Sequence, residues 1–235
     1  MSHRFSRNLQ IALHLLLSIV LLSGGFPLAA LAQEYVPPDR GAPGRREGGG
    51  TRGNCLRGEP PLIALIPSTN FGTTLEARPT FYWNVPPTAS PLAEFVLLDA
   101  EDNEVYRSTF QLSGDPGIMA FSLKDQANAP DLEIGKDYHW YFSLICDPDD
   151  RSGDIFSEGW IQRIAPPTTL TSQLAATAEG DRPRVYAQAG IWYDALNSMA
   201  NLRQTQPRNP EIATQWTTLL RSVGLDTLAE QPFLN

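Results

Sequence analysis

The sequence predicts a β-rich protein in which a mainly antiparallel β-sandwich is followed by a small α-helical C-terminal region. Three observations lead to this fold class. Short runs of aromatic and β-branched residues, separated by Pro, Gly and Asp, occupy residues 59–165, as is typical of a sandwich. Apolar residues recur at helical spacing over residues 166–235. Of the 235 residues, 42% are hydrophobic, which is enough for a packed core and excludes a wholly disordered chain.

Seven strands are predicted within the sandwich region. The runs at 80–85 and 138–145 are the most aromatic, and turn-forming Asp102 and Asn103 separate two runs as in a hairpin. The predicted strands are 62–66, 80–85, 93–98, 104–110, 118–123, 138–145 and 156–164.

One local pattern makes the architecture more specific. Leu132 and Gly135 stand just ahead of Tyr138, which opens an aromatic strand. This arrangement resembles the corner before the sixth strand of fibronectin type III and immunoglobulin-like sandwiches, where a Tyr hydroxyl bonds to upstream backbone. The resemblance implies an immunoglobulin-like sandwich with Trp83 in its core, and it implies nothing about function.

The helical region carries apolar stripes whose simplest interpretation is burial against each other. Part of it resembles the second half of a tetratricopeptide repeat and the opening helix of the next, through Tyr186, Gly190, Ala195, Pro207, Trp216, Leu220 and Gly224. At most one and a half repeats are present, whereas about three are usually needed for independent stability. We therefore expect this region to dock on the sandwich. Its candidate partner face consists of Trp192, Tyr193 and Trp216, with burial of these rings as the alternative.

The N-terminus has the three parts of a secretory signal. Two Arg precede an apolar run at 11–22, and small residues follow up to Ala32. Residues 1–32 are predicted to be a signal peptide cleaved between Ala32 and Gln33, with an uncleaved anchor as the alternative. We expect an exported protein, periplasmic or extracellular, with no transmembrane helix in its mature chain.

Export places the two cysteines in an oxidising compartment, so Cys55 and Cys146 are predicted to form a disulfide. Residues 33–58 are rich in Gly, Pro and Arg, and such a stretch is by default a flexible arm. If the disulfide fixes the end of this arm beside an acidic turn, the arm could fold back on that turn as a clasp. Its proposed members are Arg45, Arg46, Arg52, Asp147, Asp149, Asp150 and Asp154.

Most enzyme classes fit this composition poorly. His139 would be the only histidine after cleavage, and the predicted disulfide leaves no thiolate. The sequence lacks the residues that a zinc site or a phosphate-binding loop requires. Carboxylates could still support a hydrolase, although no spacing singles out a pair. Asp147, Asp149 and Glu158 resemble a calcium site only weakly, since Arg151 takes a ligand position, and an acidic turn is the alternative.

Several longer motifs resemble family 928 of the domains of unknown function. They are residues 41–53 with Cys55, 79–83, 94–98, 138–151, 158–162 and 189–195. The resemblance implies an exported, mostly cyanobacterial family without an assigned activity, and it supplies no catalytic residue.

We therefore expect an exported, non-catalytic module that needs no cofactor and acts in protein–protein contact or as an envelope-associated scaffold. Its partner would be an exported or membrane protein, and a nucleic-acid partner is not expected. The alternative is a sandwich that binds calcium or an anionic glycan, and a carboxylate hydrolase is third.

Overall fold

The computed structural model of the protein describes residues 34–48, 55 and 60–234. Eight strands in this part form two sheets, and four α-helices follow them, which confirms the predicted fold class. The strands are β1 (Ile63–Ala64), β2 (Phe71–Thr74), β3 (Thr80–Val85), β4 (Leu92–Asp99), β5 (Glu104–Gln111), β6 (Gly117–Ser122), β7 (Asp137–Ile145) and β8 (Ile155–Arg163). The helices are α1 (Thr168–Ala176), α2 (Arg182–Gln188), α3 (Trp192–Thr205) and α4 (Pro210–Arg221).

The two sheets contain three and five strands, in the orders β1-β3-β6 and β2-β8-β7-β4-β5. Neighbouring strands are antiparallel except β2 and β8, which run parallel. The sequence did not predict β2, because its four residues are too few to establish an alternating pattern. This strand is specified by its pairing with β8, which lies far away in sequence.

Aromatic side chains fill the space between the sheets. Trp83 of β3 stacks on Phe142 of β7 with ring centroids 4.4 Å apart, and it meets Trp140 edge-on at 5.6 Å. The Tyr138 hydroxyl accepts a hydrogen bond from the backbone N–H of Glu133 at 3.1 Å. The predicted tie between this strand and the upstream backbone is therefore present.

Helix α3 docks onto the sandwich through its first turn. The Tyr193 ring meets Phe81 of one sheet edge-on at 5.4 Å, and its hydroxyl accepts a hydrogen bond from Trp140 Nε1 of the other sheet at 2.9 Å. The same hydroxyl donates to the carbonyl oxygen of Trp160 at 3.2 Å. One hydrophobic core consequently runs from the sandwich into the helices.

This docking contradicts the predicted partner face. Trp192, Tyr193 and Trp216 are all buried, with at most 2% of their surface exposed. Trp192 Nε1 donates to the Leu65 carbonyl at 2.8 Å, and Trp216 packs against Phe233. The alternative, burial, is the observed arrangement, because the sandwich and the C-terminal segment cover these rings.

Residues 34–48, hereafter the strap, lie along one side of the sandwich and bond to it, so the default interpretation of this composition as a flexible arm does not hold for them. Tyr35 is buried and meets Trp192 edge-on at 5.0 Å. Farther along, the carbonyl of Arg46 accepts from the N–H of Ala64 at 2.8 Å. The strap thus connects the helical region to the edge of the three-stranded sheet.

Cys55 and Cys146 form the predicted disulfide, with Cα atoms 5.3 Å apart. The carbonyl of Cys55 also accepts hydrogen bonds from the Thr88 hydroxyl and the Ala89 N–H, both at 2.9 Å. The position of Cys55 is therefore fixed by backbone contacts as well as by the covalent bond.

The predicted leader and its cleavage position between Ala32 and Gln33 lie outside the described residues. Within residues 34–48, 55 and 60–234, none of the helices combines the length and apolar character that a membrane span requires.

Candidate interaction surface

The free edge of β5 borders the five-stranded sheet on the side opposite the strap. The N–H of Leu112 bonds to the Pro91 carbonyl at 3.0 Å, which sets the direction of the backbone groups along this strand. Because both backbone groups of a residue point to the same side and alternate from one residue to the next, those of Arg107, Thr109 and Gln111 point away from β4. They have no backbone hydrogen-bond partner in the described part of the chain. Strand β5 therefore presents an open edge of eight residues.

Both edges of the three-stranded sheet and part of β8 are covered. The strap pairs with β1 through a bridge between Glu47 and Ile63, and its Arg45 carbonyl accepts from the Glu158 N–H of β8 at 2.8 Å. The C-terminal segment bonds to β6 at Ile118, whose N–H donates to the Pro232 carbonyl at 2.7 Å. A strand edge without such cover can pair with another chain. The open β5 edge is thus the longest such edge among the described residues.

A network of ion pairs supports the outer face beside this edge. The carboxylate of Glu94 lies 2.8 Å from Arg107 Nη1 and 2.9 Å from Arg151 Nη2. Arg107 also pairs with Glu104 at 2.6 Å, and Arg151 pairs with Asp154. Burial alone would raise the pKa of Glu94, but the hydrogen bonds from both arginines outweigh burial and lower it. Glu94 is therefore ionised, and the two guanidinium groups are held over the sheet.

The opposite half of the outer face carries a cluster of rings around one carboxylate. The imidazole of His139 stacks on Trp160 with centroids 4.4 Å apart, and its Nε2 lies 3.1 Å from the Glu158 carboxylate. Burial lowers the pKa of His139 despite the opposing effect of Glu158, and burial raises the pKa of Tyr141 to about 12. Trp160 Nε1 donates to the strap at the Pro43 carbonyl, 3.1 Å away. These groups bind each other and the strap, whereas the β5 side of the sheet has no such cover in the described structure.

The predicted clasp is not formed by its described members. The Arg45 guanidinium lies over the Phe156 ring at 5.9 Å, and Arg46 donates to the carbonyls of Ile66 and Val223 at 3.4 and 2.8 Å. With the strap backbone paired to β1 and β8, the Arg45 and Arg46 guanidinium groups make these contacts in place of ion pairs with the acidic turn. Arg52 lies outside the described residues.

The acidic residues of the turn instead make local contacts. Asp147 accepts from the N–H of Asp149 at 2.9 Å, and Asp150 accepts from the N–H of Ser152 at 3.0 Å. Asp154 pairs with Arg151 and accepts from the N–H of Cys146. These carboxylates therefore accept hydrogen bonds from backbone donors in or beside the turn and do not contact the strap arginines.

The weak calcium candidate is contradicted as well. Glu158 points from β8 toward His139 and does not join Asp147 and Asp149 in the turn. Within residues 34–48, 55 and 60–234, no three His, Cys, Asp or Glu side chains are grouped closely enough to hold a metal ion.

Sequence reasoning identified β5 as a strand but did not identify its edge as a site. The run 104–111 alternates between more and less exposed residues, which indicates a strand with one covered face. Whether a strand lies at the edge of a sheet depends on the pairing order, and a single sequence does not contain that order.

No curated protein matches the chain. Among solved structures, the chain is similar to the fn3 domain of human collagen alpha-1(XX) chain, with 10% identity and a TM-score of 0.28. The similarity covers 57% of this chain and 92% of that domain.

A family comparison gives a more extensive match. Residues 47–233 match the family described as Domain of Unknown Function (DUF928). The matched range includes both sheets, all four helices, the disulfide and the open β5 edge. The chain therefore belongs to the DUF928 family.

Proposed function

We propose that this protein is an exported, non-catalytic interaction module that binds a protein partner by strand addition at the open edge of β5. The observation that carries the proposal is the contrast between this edge and the covered ones. An extended partner segment would receive hydrogen bonds from the backbone groups of Arg107, Thr109 and Gln111. Side-chain contacts on the two faces of β5 would then select the partner.

The neighbouring ion-pair network supports this assignment. A charged edge resists indiscriminate pairing, and β5 carries Glu104 and Arg107. Because Glu94 holds Arg107 over the outer face, its guanidinium is positioned before a partner arrives. Arginine is also enriched among the residues that contribute most to protein interfaces.

Two further observations support a non-catalytic and exported protein. His139, the only histidine in the described part, is engaged with Glu158 and Trp160, and both cysteines form the disulfide. A structural disulfide is typical of oxidising compartments, in agreement with the predicted leader. Processing is checked by sequencing the N-terminus of the protein recovered from the cell envelope, which we expect to begin at Gln33.

The interaction is tested with a proline that removes one edge donor. Pro has no N–H, but the N–H of Thr109 points away from β4, so Thr109→Pro leaves the pairing of β4 with β5 in place. Tagged wild-type protein and Thr109→Pro would be recovered from native envelopes, and co-purifying proteins would be quantified. We expect Thr109→Pro to lose the partner.

Thr109→Ala is the matched control, because it removes the same side chain and keeps the N–H. It should retain the partner if backbone pairing is responsible. Recovery of the same proteins, untagged copies of this chain included, in the same amounts by wild type and Thr109→Pro would refute strand addition at β5.

A further inference from the structure

We infer that the strand which completes the β5 edge comes from a second copy of this chain, paired antiparallel around a two-fold axis at Ser108. The inference rests on the proposed function, because it names the partner of the same edge. It depends on three features of β5, which are the direction of its backbone groups, the side chains on its two faces, and its length.

The backbone directions allow two copies to pair reciprocally. In an antiparallel pair, hydrogen-bonded residues must both point toward the other strand. Arg107 and Thr109 both point away from β4. When Arg107 of the first copy lies opposite Thr109 of the second, the two-fold axis also places Thr109 of the first copy opposite Arg107 of the second. Ser108 then faces Ser108 of the second copy in a non-hydrogen-bonded pair.

The side chains fit this register on both faces. On the inner face, Tyr106 would lie opposite Phe110 of the second copy, and aromatic cross-strand pairs stabilise sheets. On the outer face, Arg107 would lie beside the neutral Thr109. Moving the register so that Arg107 faces Arg107 would place like charges directly opposite each other, which is destabilising. Other registers that keep the two Arg107 side chains apart, such as those centred on Tyr106 or Thr109, overlap fewer residues of β5.

Two-fold pairing would also cover the open edge of both molecules. An isologous contact uses the same surface on both subunits and therefore covers both open edges at once. The result is a continuous ten-stranded sheet made of two five-stranded sheets. A foreign extended segment would cover the edge of one molecule only, and it is the alternative outcome of the test.

The first experiment measures the mass of the protein recovered from the envelope by sedimentation over a range of micromolar concentrations. We expect a concentration-dependent dimer of twice the monomer mass. Thr109→Pro should remain monomeric over the same range, whereas Thr109→Ala should still dimerise. A wild-type protein that stays monomeric throughout would overturn the second copy as the partner.

The second experiment tests the register by oxidation. Cα atoms in a non-hydrogen-bonded antiparallel pair are about 4.5 Å apart, within the range of a disulfide. Ser108→Cys should therefore crosslink two copies under mild oxidation. Gln111→Cys, on the same strand but away from the axis, should not. A dimer that Ser108→Cys fails to crosslink would overturn the register.

The outcomes separate this inference from the proposed function. If the wild type proves monomeric while Thr109→Pro loses a different envelope protein, that result would overturn the second copy as the partner, but it would support strand addition at β5. A protein whose mass and co-purifying proteins are both unaffected by Thr109→Pro would overturn both.

Discussion

The two sides of the sandwich differ in how their backbone edges are completed. On the strap side, the N–H of Gly48 donates to Leu62 at 2.6 Å, the N–H of Ala64 donates to Arg46 at 2.8 Å, and the N–H of Glu158 donates to Arg45 at 2.8 Å. On the other side, the outward backbone groups of β5 have no backbone partner among the described residues. Both sides belong to one core, so the difference lies at the edges alone.

This difference indicates which side is available for contact. The covered side contains aromatic anchors, including Tyr35 and Trp192, whose burial contributes to stability. The open side contains charged residues such as Glu104 and Arg107, which keep an edge soluble. Changes on the covered side should therefore lower the free energy of unfolding, whereas changes at the β5 edge should mainly affect association.

The largest effect is expected from Trp192→Ala on the covered side. Its ring is fully buried, meets Tyr35 edge-on and donates to the Leu65 carbonyl. Removing a buried Trp costs about 3–5 kcal/mol, and this site should lie at the upper end because a buried carbonyl also loses its donor. Urea unfolding followed by circular dichroism measures the change.

Tyr106→Ala is the matched aromatic change on β5. Its ring is only partly buried, so the loss of stability should be clearly smaller. Equal losses for the two variants would contradict the distinction between the covered and the open side.

The second largest effect is expected from removal of the disulfide. The bond joins residues separated by 91 positions, and a crosslink of that length restricts the unfolded chain. On the loop-entropy relation, a crosslink of this length contributes about 4.6 kcal/mol, so the double variant Cys55→Ser and Cys146→Ser should lose up to about that much unfolding free energy. Chemical unfolding of the variant and of the wild-type protein provides the comparison.

Reduction of the wild-type protein should reproduce this loss, because the same crosslink is removed without a change in sequence. Labelling of both cysteines by a thiol reagent in native, unreduced protein would instead show that the bond is absent.

The sequence predicted the sandwich better than it predicted the covered side. The aromatic runs around Trp83 and Trp140 predicted strands, and the residues before Tyr138 predicted the hydrogen bond of its hydroxyl to upstream backbone, because these patterns are local in sequence. The strap was predicted to be flexible because its Gly, Pro and Arg content has no periodicity, and its order comes from backbone bonds to distant strands. Helical spacing around Trp192 predicted a helix correctly, but spacing does not show what covers its apolar face.

A smaller effect, with a pH dependence, is expected at Asp194, which joins α3 to β2. Its carboxylate accepts from the Thr74 hydroxyl at 2.7 Å and from the Leu75 N–H at 3.2 Å. Burial raises the pKa of Asp194 from 3.8 to about 6. Between about pH 4 and 6 the native state therefore retains a proton that the unfolded state has lost, so this group's stabilising contribution decreases as pH rises. The decrease should be on the order of 2 kcal/mol.

The pH dependence is measured as the free energy of unfolding at intervals between pH 4 and 7, in wild type and in Asp194→Asn. His139 contributes with the opposite sign, because its lowered pKa destabilises the native state as pH falls. The difference in pH dependence between the two proteins gives the contribution of Asp194 to the free energy of unfolding. An identical pH dependence in both would rule out the raised pKa.

The smallest effect on stability is expected from Thr109→Pro at the β5 edge, and a proline at the adjacent Ser108 should behave differently. The backbone of Ser108 points toward β4 and that of Thr109 points away, so Ser108→Pro removes a hydrogen bond within the sheet and Thr109→Pro does not. Ser108→Pro should lower the free energy of unfolding by about 2 kcal/mol or more, and Thr109→Pro by less than about 1 kcal/mol. Because the two positions share a strand, a helix or turn preference cannot produce this difference. At a protein concentration where the wild type is monomeric, similar losses at both positions would mean that the Thr109 N–H already has a partner within the monomer, and β5 would then not be an open edge.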